Sequence, residues 1–392
     1  MYDGPCKVVA AWCFGIYPLT LNCTLADKPM EKMSLKKGII CIFVLFCGFS
    51  LHRTNGQQVG PTQRHAPDEP RSRHYRQAYL EMADMLDGKI PLSIKRAVFL
   101  AEWAYLDGDL DYDAYCYGID TAVAFVQRFI ATNGLEQYKT GKNLALTEYF
   151  FRPYSGNGHQ PFTYDFDDTG GKNDFTKQFV TKVMRTHTGQ CRSLPMYYKV
   201  LAESLGAEAY IAYAPAHVFI RYRNEDKMYP EEWVNVELTT HQITPEFFYK
   251  ERFEITDKAI ENKIYLAPLT DRETVAAQLA DLAFGYWNKF KCYDEFTRCC
   301  TEKSLECYPQ HPKACIILGK SLDAALVKHL KGNGYKEDDY ARQIIAQSDA
   351  LHEKLKALGW EDMSEELYDK LETDNEQARK LQEAKQNKLP IQ

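Results

Sequence analysis

The sequence predicts an α+β protein in which a helix carrying a cysteine packs on an antiparallel sheet, followed by an all-α region. Residues 74–134 have helical hydrophobic periodicity, and three short segments between residues 207 and 240 alternate as strands do. After residue 271 the pattern is helical again. Hydrophobic residues make up 45% of the chain and aromatic residues 13%, as in a packed globular protein.

The beginning of the chain does not have the pattern of a domain. Residues 1–32 show neither helical nor strand periodicity, and a second methionine, Met33, follows them. Lys36 and Lys37 then precede an apolar run over residues 38–51 and a small residue, Gly56, which is the order of a secretory signal peptide. The run is shorter than the ~20 residues that span a bilayer.

We therefore predict a spurious extension over residues 1–32 and a signal peptide over 33–57, cleaved near Gly56. The mature protein is then exported, to the periplasm or the medium. An uncleaved anchor is the alternative, and it is the only membrane contact that we expect.

The rest of the chain divides into a linker at residues 58–73, a core with its N-terminal helices at 74–265, and a helical region at 266–392. Within the core, "IKRAVFLAEWAYL" and "YGIDTAVAFVQRFI" each place apolar residues on one helical stripe. These residues are Ala97, Leu100, Ala101, Ala104, Ile119, Val123, Val126 and Ile130. An apolar segment over residues 143–151 continues the pattern. The glycine- and aspartate-rich "YSGNGHQPFTYDFDDTGGKND" predicts a long loop, either functional or disordered.

The three predicted strands are "AEAYIAYAP", "HVFIRYR" and "EEWVNVELTT". Further on, "YDEFTRCCTEKSLECYP" breaks at Pro309 before "KACIILGKSLDAALVKHL", a spacing typical of tetratricopeptide-type hairpins. The last segment, "EELYDKLETDNEQARKLQEAKQ", predicts a charged, solvated helix or tail.

Charge and cysteine usage exclude two classes of protein. A net charge of −6 argues against a nucleic-acid-binding surface. Five of the 12 cysteines lie in or before the leader, and five cluster over residues 292–315, where we expect them to fill small sites between helices. Cys116 and Cys191 stand alone, so the chain is not a disulfide scaffold.

Cys191 lies in "THTGQCRSLPMYYKVLAESLG", just before a predicted helix that has Pro195 in its first turn and Gly206 at its end. Unpaired N–H groups at a helix N-terminus lower the pKa of a thiol and favour its thiolate. The main-chain N–H of Cys191, with the amide of Gln190 as a weaker second donor, would face a developing oxyanion. This position predicts a nucleophile.

A thiolate nucleophile needs a base and a group that orients the base. His217 opens the second predicted strand, and Glu237 shares a face of the third strand with Trp233 and Asn235. We predict a triad of Cys191, His217 and Glu237, with Asn235 as the competing orienting residue.

Each residue also has a structural interpretation. Cys191 is then a small buried apolar side chain, His217 a core histidine with satisfied ring nitrogens, and Glu237 an ordinary strand carboxylate. His187 lies four residues before Cys191, but no second Cys/His pair completes a zinc site. We therefore predict no metal and no cofactor.

The stretch "TGQCRSLPMYYKVLAESLGAEAYIAYAPAHVFIRY…WVNVELT" resembles the transglutaminase-like superfamily of papain-type cysteine hydrolases. The family pattern has Cys at a helix start, His opening a strand and an Asp four residues after a Trp, and Cys191, His217 and Glu237 stand at those positions. This chain departs from the pattern with Glu237 in place of Asp and Val218 in place of the usual aromatic residue. The upstream helices resemble a bacterial subgroup that carries tetratricopeptide-like helices after the core, and members of that subgroup often lack the cysteine.

The resemblance implies an exported cysteine hydrolase that acts on amide bonds of a peptide or protein through Cys191, His217 and Glu237. The alternative is a catalytically degenerate binding module of the same fold, whose helical repeat surface binds a protein partner.

Overall fold

The computed structural model describes residues 73–386, and these form a mixed α/β structure that is mostly helical. The predicted signal peptide, its cleavage site and the linker before residue 73 lie outside the described residues.

Four helices form the first part of the structure. The helix that follows Ser93 and the helix that follows Asp111 are both capped, since the Ser93 hydroxyl accepts from the N–H of Arg96 at 3.2 Å and the Asp111 carboxylate from the N–H of Ala114 at 2.9 Å. Both predicted apolar stripes are buried in these two helices, apart from the half-buried Ala101. The four helices are α1 (Arg73–Leu86), α2 (Ile94–Tyr105), α3 (Tyr112–Thr132) and α4 (Gly141–Phe151).

Two small sheets follow in the chain. Strands β1 (Thr163–Tyr164) and β2 (Thr188–Gly189) pair in parallel. An antiparallel sheet of order β3-β4-β5-β6 contains the three predicted strands and a short fourth strand that the sequence did not predict. Its strands are β3 (Tyr210–Ala214), β4 (His217–Arg223), β5 (Trp233–Glu237) and β6 (Gln242–Ile243).

The helix after Cys191 is central to the fold. Helix α5 (Val180–Thr186) precedes it, and α6 (Ser193–Leu205) lies against β3 and β4 on one side and against α2 to α5 on the other. Gly206 ends α6 in a left-handed conformation, with φ +66°, which favours glycine. A cysteine-bearing segment leading into a helix packed on an antiparallel sheet is therefore present. Two short helices follow the sheet, α7 (Glu246–Arg252) and α8 (Asp257–Glu261).

Five longer helices complete the described part of the chain. A capping box of Thr270 and Glu273 starts the first of them, which packs on α1 and α2, so the hydrophobic core continues across residue 265. The next three each pack on the preceding helix. Of the five cysteines expected to fill small sites between helices, Cys299, Cys300 and Cys315 are buried, whereas Cys292 and Cys307 are half-buried. The helices are α9 (Asp271–Phe290), α10 (Glu295–Cys307), α11 (Pro312–Gly332), α12 (Asp339–Leu358) and α13 (Glu365–Gln386). Within residues 73–386, no helix combines the length and the apolar character that crossing a membrane requires.

Candidate active site

Gly189 of β2, in the segment before Cys191, is closely packed against Val183 and Leu194. A Cβ atom on Gly189 would lie 2.7 Å from Cγ2 of Val183 and 2.9 Å from Cγ of Leu194, closer than real Cβ contacts. The N–H of Asp165 donates to the carbonyl of Gly189 at 2.7 Å, which joins the long loop to this segment. Glycine at position 189 is therefore required by packing.

Cys191 lies in the turn that leads into α6. The N–H of Leu194 donates to the carbonyl of Gln190 at 3.0 Å, so the helical turn already includes Cys191. The sulfur of Cys191 is disulfide-bonded. Cys191 can therefore act as a nucleophile only after this disulfide is reduced.

His217 and Glu237 are in direct contact. Nε2 of His217 lies 2.6 Å from Oε2 of Glu237, and both side chains are largely buried. Since Nε2 bonds the carboxylate, Nδ1 is the ring nitrogen left to exchange a proton with a thiol or a substrate. Phe253 stacks on the imidazole with ring centroids 5.2 Å apart, which further fixes the ring.

Besides the contact with His217, the Glu237 carboxylate accepts hydrogen bonds from two residues. Oε1 accepts from the N–H of Thr239 at 3.1 Å and from its hydroxyl at 2.6 Å, and the Tyr249 hydroxyl donates to Oε2 at 3.0 Å. Burial raises the pKa of the Glu237 carboxyl, but the His217 imidazole and the hydrogen bonds from Thr239 outweigh burial and hold that pKa below its ordinary value. Glu237 is thus a buried, ionised acceptor.

Sequence reasoning did not identify Tyr249. Burial and the neighbouring Glu237 carboxylate raise the pKa of Tyr249 well above its usual range, so the hydroxyl remains a donor. Its ring stacks on Phe219 with centroids 4.1 Å apart, which ties α7 to the sheet beside His217. No spacing in the sequence connects residue 249 with residue 237, because the contact depends on how α7 folds back onto the sheet.

Asn235, the competing orienting residue, bonds elsewhere. Its amide nitrogen donates to the carbonyl of Thr244 at 3.0 Å, and its buried carbonyl oxygen has no partner among the described residues. In the sheet, Asn235 pairs with Arg221, whereas the Glu237 side chain contacts His217 at the start of β4. The structure therefore places Glu237, and not Asn235, against His217.

The N–H groups of Gln190 are used within the protein. Its main-chain N–H donates to the Ser193 hydroxyl at 3.0 Å, and its side-chain amide donates to the carbonyls of Asp168 at 3.0 Å and Asp165 at 3.4 Å. Its side-chain oxygen accepts from the N–H of Gly170 at 2.8 Å. Gln190 therefore holds the long loop beside Cys191, and its N–H groups, predicted as the weaker oxyanion donor, are engaged with acceptors of the protein itself.

A buried ion cluster anchors the start of α6 to the C-terminal helices. The Arg192 guanidinium lies 2.5 Å from Asp281 of α9, and Lys313 of α11 lies 2.7 Å from the same carboxylate. Burial raises the pKa of the Asp281 carboxyl, but the effect of the two cations is larger than that of burial. The pKa of Asp281 therefore lies well below its ordinary value. The residue next to Cys191 is thus fixed by helices more than eighty positions away in the sequence.

One cleft of about 700 Å³ contains the three predicted triad residues in its lining. The remaining wall combines aromatic residues of the long loop and α7 with residues of α13. The predicted charged C-terminal helix is present and most of its residues are exposed, while part of it also lines the cleft. The sequence shows that α13 is polar, but it does not show that residues of this helix line a cleft.

His187 is engaged outside any metal site. Nδ1 of His187 lies 3.1 Å from the carbonyl oxygen of Gln160, and its ring stacks on Phe162 with centroids 4.4 Å apart. Within residues 73–386, no group of three or more His, Cys, Asp or Glu side chains is arranged to hold a metal ion.

Comparison with known proteins adds no assignment: no family model, curated protein or solved structure matches this chain.

Proposed function

We propose that this protein is an exported cysteine hydrolase of the transglutaminase-like type, which cleaves amide bonds of a peptide or protein. The observation that carries the proposal is the 2.6 Å contact between His217 and Glu237 in a cleft that Cys191 also lines. A buried carboxylate that fixes one ring nitrogen leaves the other as a base, which is the arrangement that thiol nucleophiles use.

The reaction proceeds in two steps from the reduced form of Cys191. His217 takes the thiol proton, and the sulfur attacks the carbonyl carbon of the amide. The C–N bond breaks, and the amine leaves with the proton from His217. Water then gives a proton to His217 and attacks the thioester carbonyl; the C–S bond breaks, the acid product is released, and His217 returns the proton to the sulfur. The Glu237 carboxylate accepts a hydrogen bond from Nε2–H of His217, which keeps the proton on Nε2 and stabilises the imidazolium that forms.

The alternative function, a binding module of the same fold, makes a different prediction for thiol reactivity. After reduction and removal of the reductant, an activated Cys191 reacts with iodoacetamide near neutral pH at least about tenfold faster than an ordinary thiol. Cys116 is a half-buried thiol that does not line the cleft, and Cys300 is fully buried, so both serve as internal references. Peptide mass spectrometry reports all three rates.

His217→Ala is the decisive variant for this assay. We expect it to bring the Cys191 rate down to that of Cys116, and Cys191→Ala to abolish hydrolysis of any substrate found. A Cys191 rate equal to that of Cys116 in the unmodified protein favours the binding module.

Export is tested separately, by the N-terminus of protein purified from its native host. We expect a mature N-terminus near Gln57 or Gln58, and an intact Met1 or Met33 contradicts export.

A further inference from the structure

Helix α13 contributes residues between 368 and 381 to the lining of the cleft, and one stripe of its surface is covered by the rest of the protein. The residues of this stripe recur at helical spacing and are buried or half-buried. Tyr368 and Arg379 are also half-buried, and the other residues of 365–384 are exposed. The stripe consists of Leu367, Leu371, Asp374, Asn375, Ala378 and Gln382. It is apolar where α13 begins and polar towards its end.

Few contacts hold α13 in place from residue 374 onward. Asp374 pairs with Arg252 of α7 at 3.0 Å, and the Gln382 side chain donates to the carbonyl of Tyr164 at 3.0 Å. Helix α13 approaches the other described helices and strands only sparsely, and Leu381 at the cleft is mostly exposed. Partly exposed ion pairs and single neutral hydrogen bonds stabilise docking weakly.

The helix is stabilised largely within itself. Arg379 contacts Glu376 at 2.7 Å and Glu383 at 2.9 Å, and the Tyr368 hydroxyl donates to Glu372 at 2.7 Å. These partners are three and four positions apart, the spacing that supports a helix without neighbours. The two pairs of Arg379 lie in the second half of α13 and favour its helical form whether or not it contacts the cleft.

We propose that the second half of α13, residues 375–386, is a displaceable cover over the cleft of Cys191, His217 and Glu237. Leu367 and Leu371 act as the anchor about which it moves. A peptide chain enters the cleft when this cover is displaced. The identity of the entering chain rests on the proposed function, but the movement of the cover does not.

The test compares a small and a bulky reagent on reduced Cys191. Iodoacetamide reports the reactivity of the thiol, and a maleimide attached to a large polyethylene glycol reports access to the cleft. The main variant is a chain that ends after residue 374, which retains Leu367, Leu371 and Asp374. If the cover is open for about a tenth of the time or less, truncation raises the bulky-to-small rate ratio at least about tenfold.

Two point variants keep the test independent of whether the truncated chain folds. Gln382→Ala removes the bond to Tyr164, and we expect the rate ratio to rise about 2- to 10-fold. Lys370→Ala changes an exposed side chain of the same helix and leaves the ratio unchanged. A ratio that is equal in the full-length, truncated and Gln382→Ala chains shows that α13 is a fixed wall and overturns the proposal.

Failure of the proposed function gives a different result. In that case His217→Ala leaves the iodoacetamide rate of Cys191 unchanged, whereas the bulky-to-small ratio still responds to truncation.

Discussion

Glu237→Gln replaces the carboxylate that fixes His217 with a neutral amide of the same shape. The carbonyl oxygen of the new amide can keep both hydrogen bonds from Thr239. The amide nitrogen then takes the place of Oε2, where it meets two donors, His217 Nε2–H and the Tyr249 hydroxyl. The imidazole must shift its proton to Nδ1, and in that tautomer Nδ1 no longer accepts a proton.

The magnitude follows from what the wrong tautomer removes. In a serine triad, loss of the orienting carboxylate costs about 10⁴ in turnover. A thiol is intrinsically the better nucleophile, so we expect a smaller loss, between about 10- and 1,000-fold, in the Cys191 alkylation rate near neutral pH. Glu237 is buried and its partners stay in place, so the variant is expected to fold.

The assay is the rate of iodoacetamide modification of reduced Cys191 across a range of pH, which requires no substrate. Asn235→Ala is the matched control, because Asn235 lies on the same strand but does not contact His217. We expect the Glu237→Gln profile to shift and the Asn235→Ala profile to coincide with that of the unmodified protein. If the asparagine variant shifts the profile and the glutamate variant does not, the assignment of the third residue is refuted.

Three further predictions concern stability. Tyr249→Phe removes a buried hydrogen bond to the charged Glu237, so the free energy of unfolding falls by about 1.5–3 kcal/mol in denaturant titration; an unchanged value contradicts the contact. Asp281→Asn leaves the buried Arg192 without its carboxylate and costs about 3–5 kcal/mol at neutral pH. Because the pKa of Asp281 is depressed in the folded state, its contribution is present above the unfolded pKa and is lost as the pH falls. The difference between the two proteins therefore narrows below a pH of about 4, and a constant difference argues against an ionised Asp281. Gly189→Ala forces a Cβ atom into a filled space and costs about 1–3 kcal/mol, visible as a lower Tm, whereas an unchanged Tm means that the segment yields freely.

The sequence by itself determined the local elements around the site. The stripes of α2 and α3, the three strand segments, and the turn at Cys191 before α6 all follow from spacing between near neighbours. The position of His217 as the first residue of β4 is likewise set by its own segment.

Only the tertiary structure decided which of these residues meet. Asn235 and Glu237 share a strand face and look equivalent in the sequence, but the register of β5 on β4 and the packing of α7 bring Glu237 to His217 and Tyr249. The Arg192–Asp281 pair and the lining of the cleft by residues of α13 depend on contacts between segments distant in the chain. Periodicity describes how a segment presents its own side chains. Which residue of another segment each side chain contacts depends on how the whole chain folds, and no local sequence pattern contains that information.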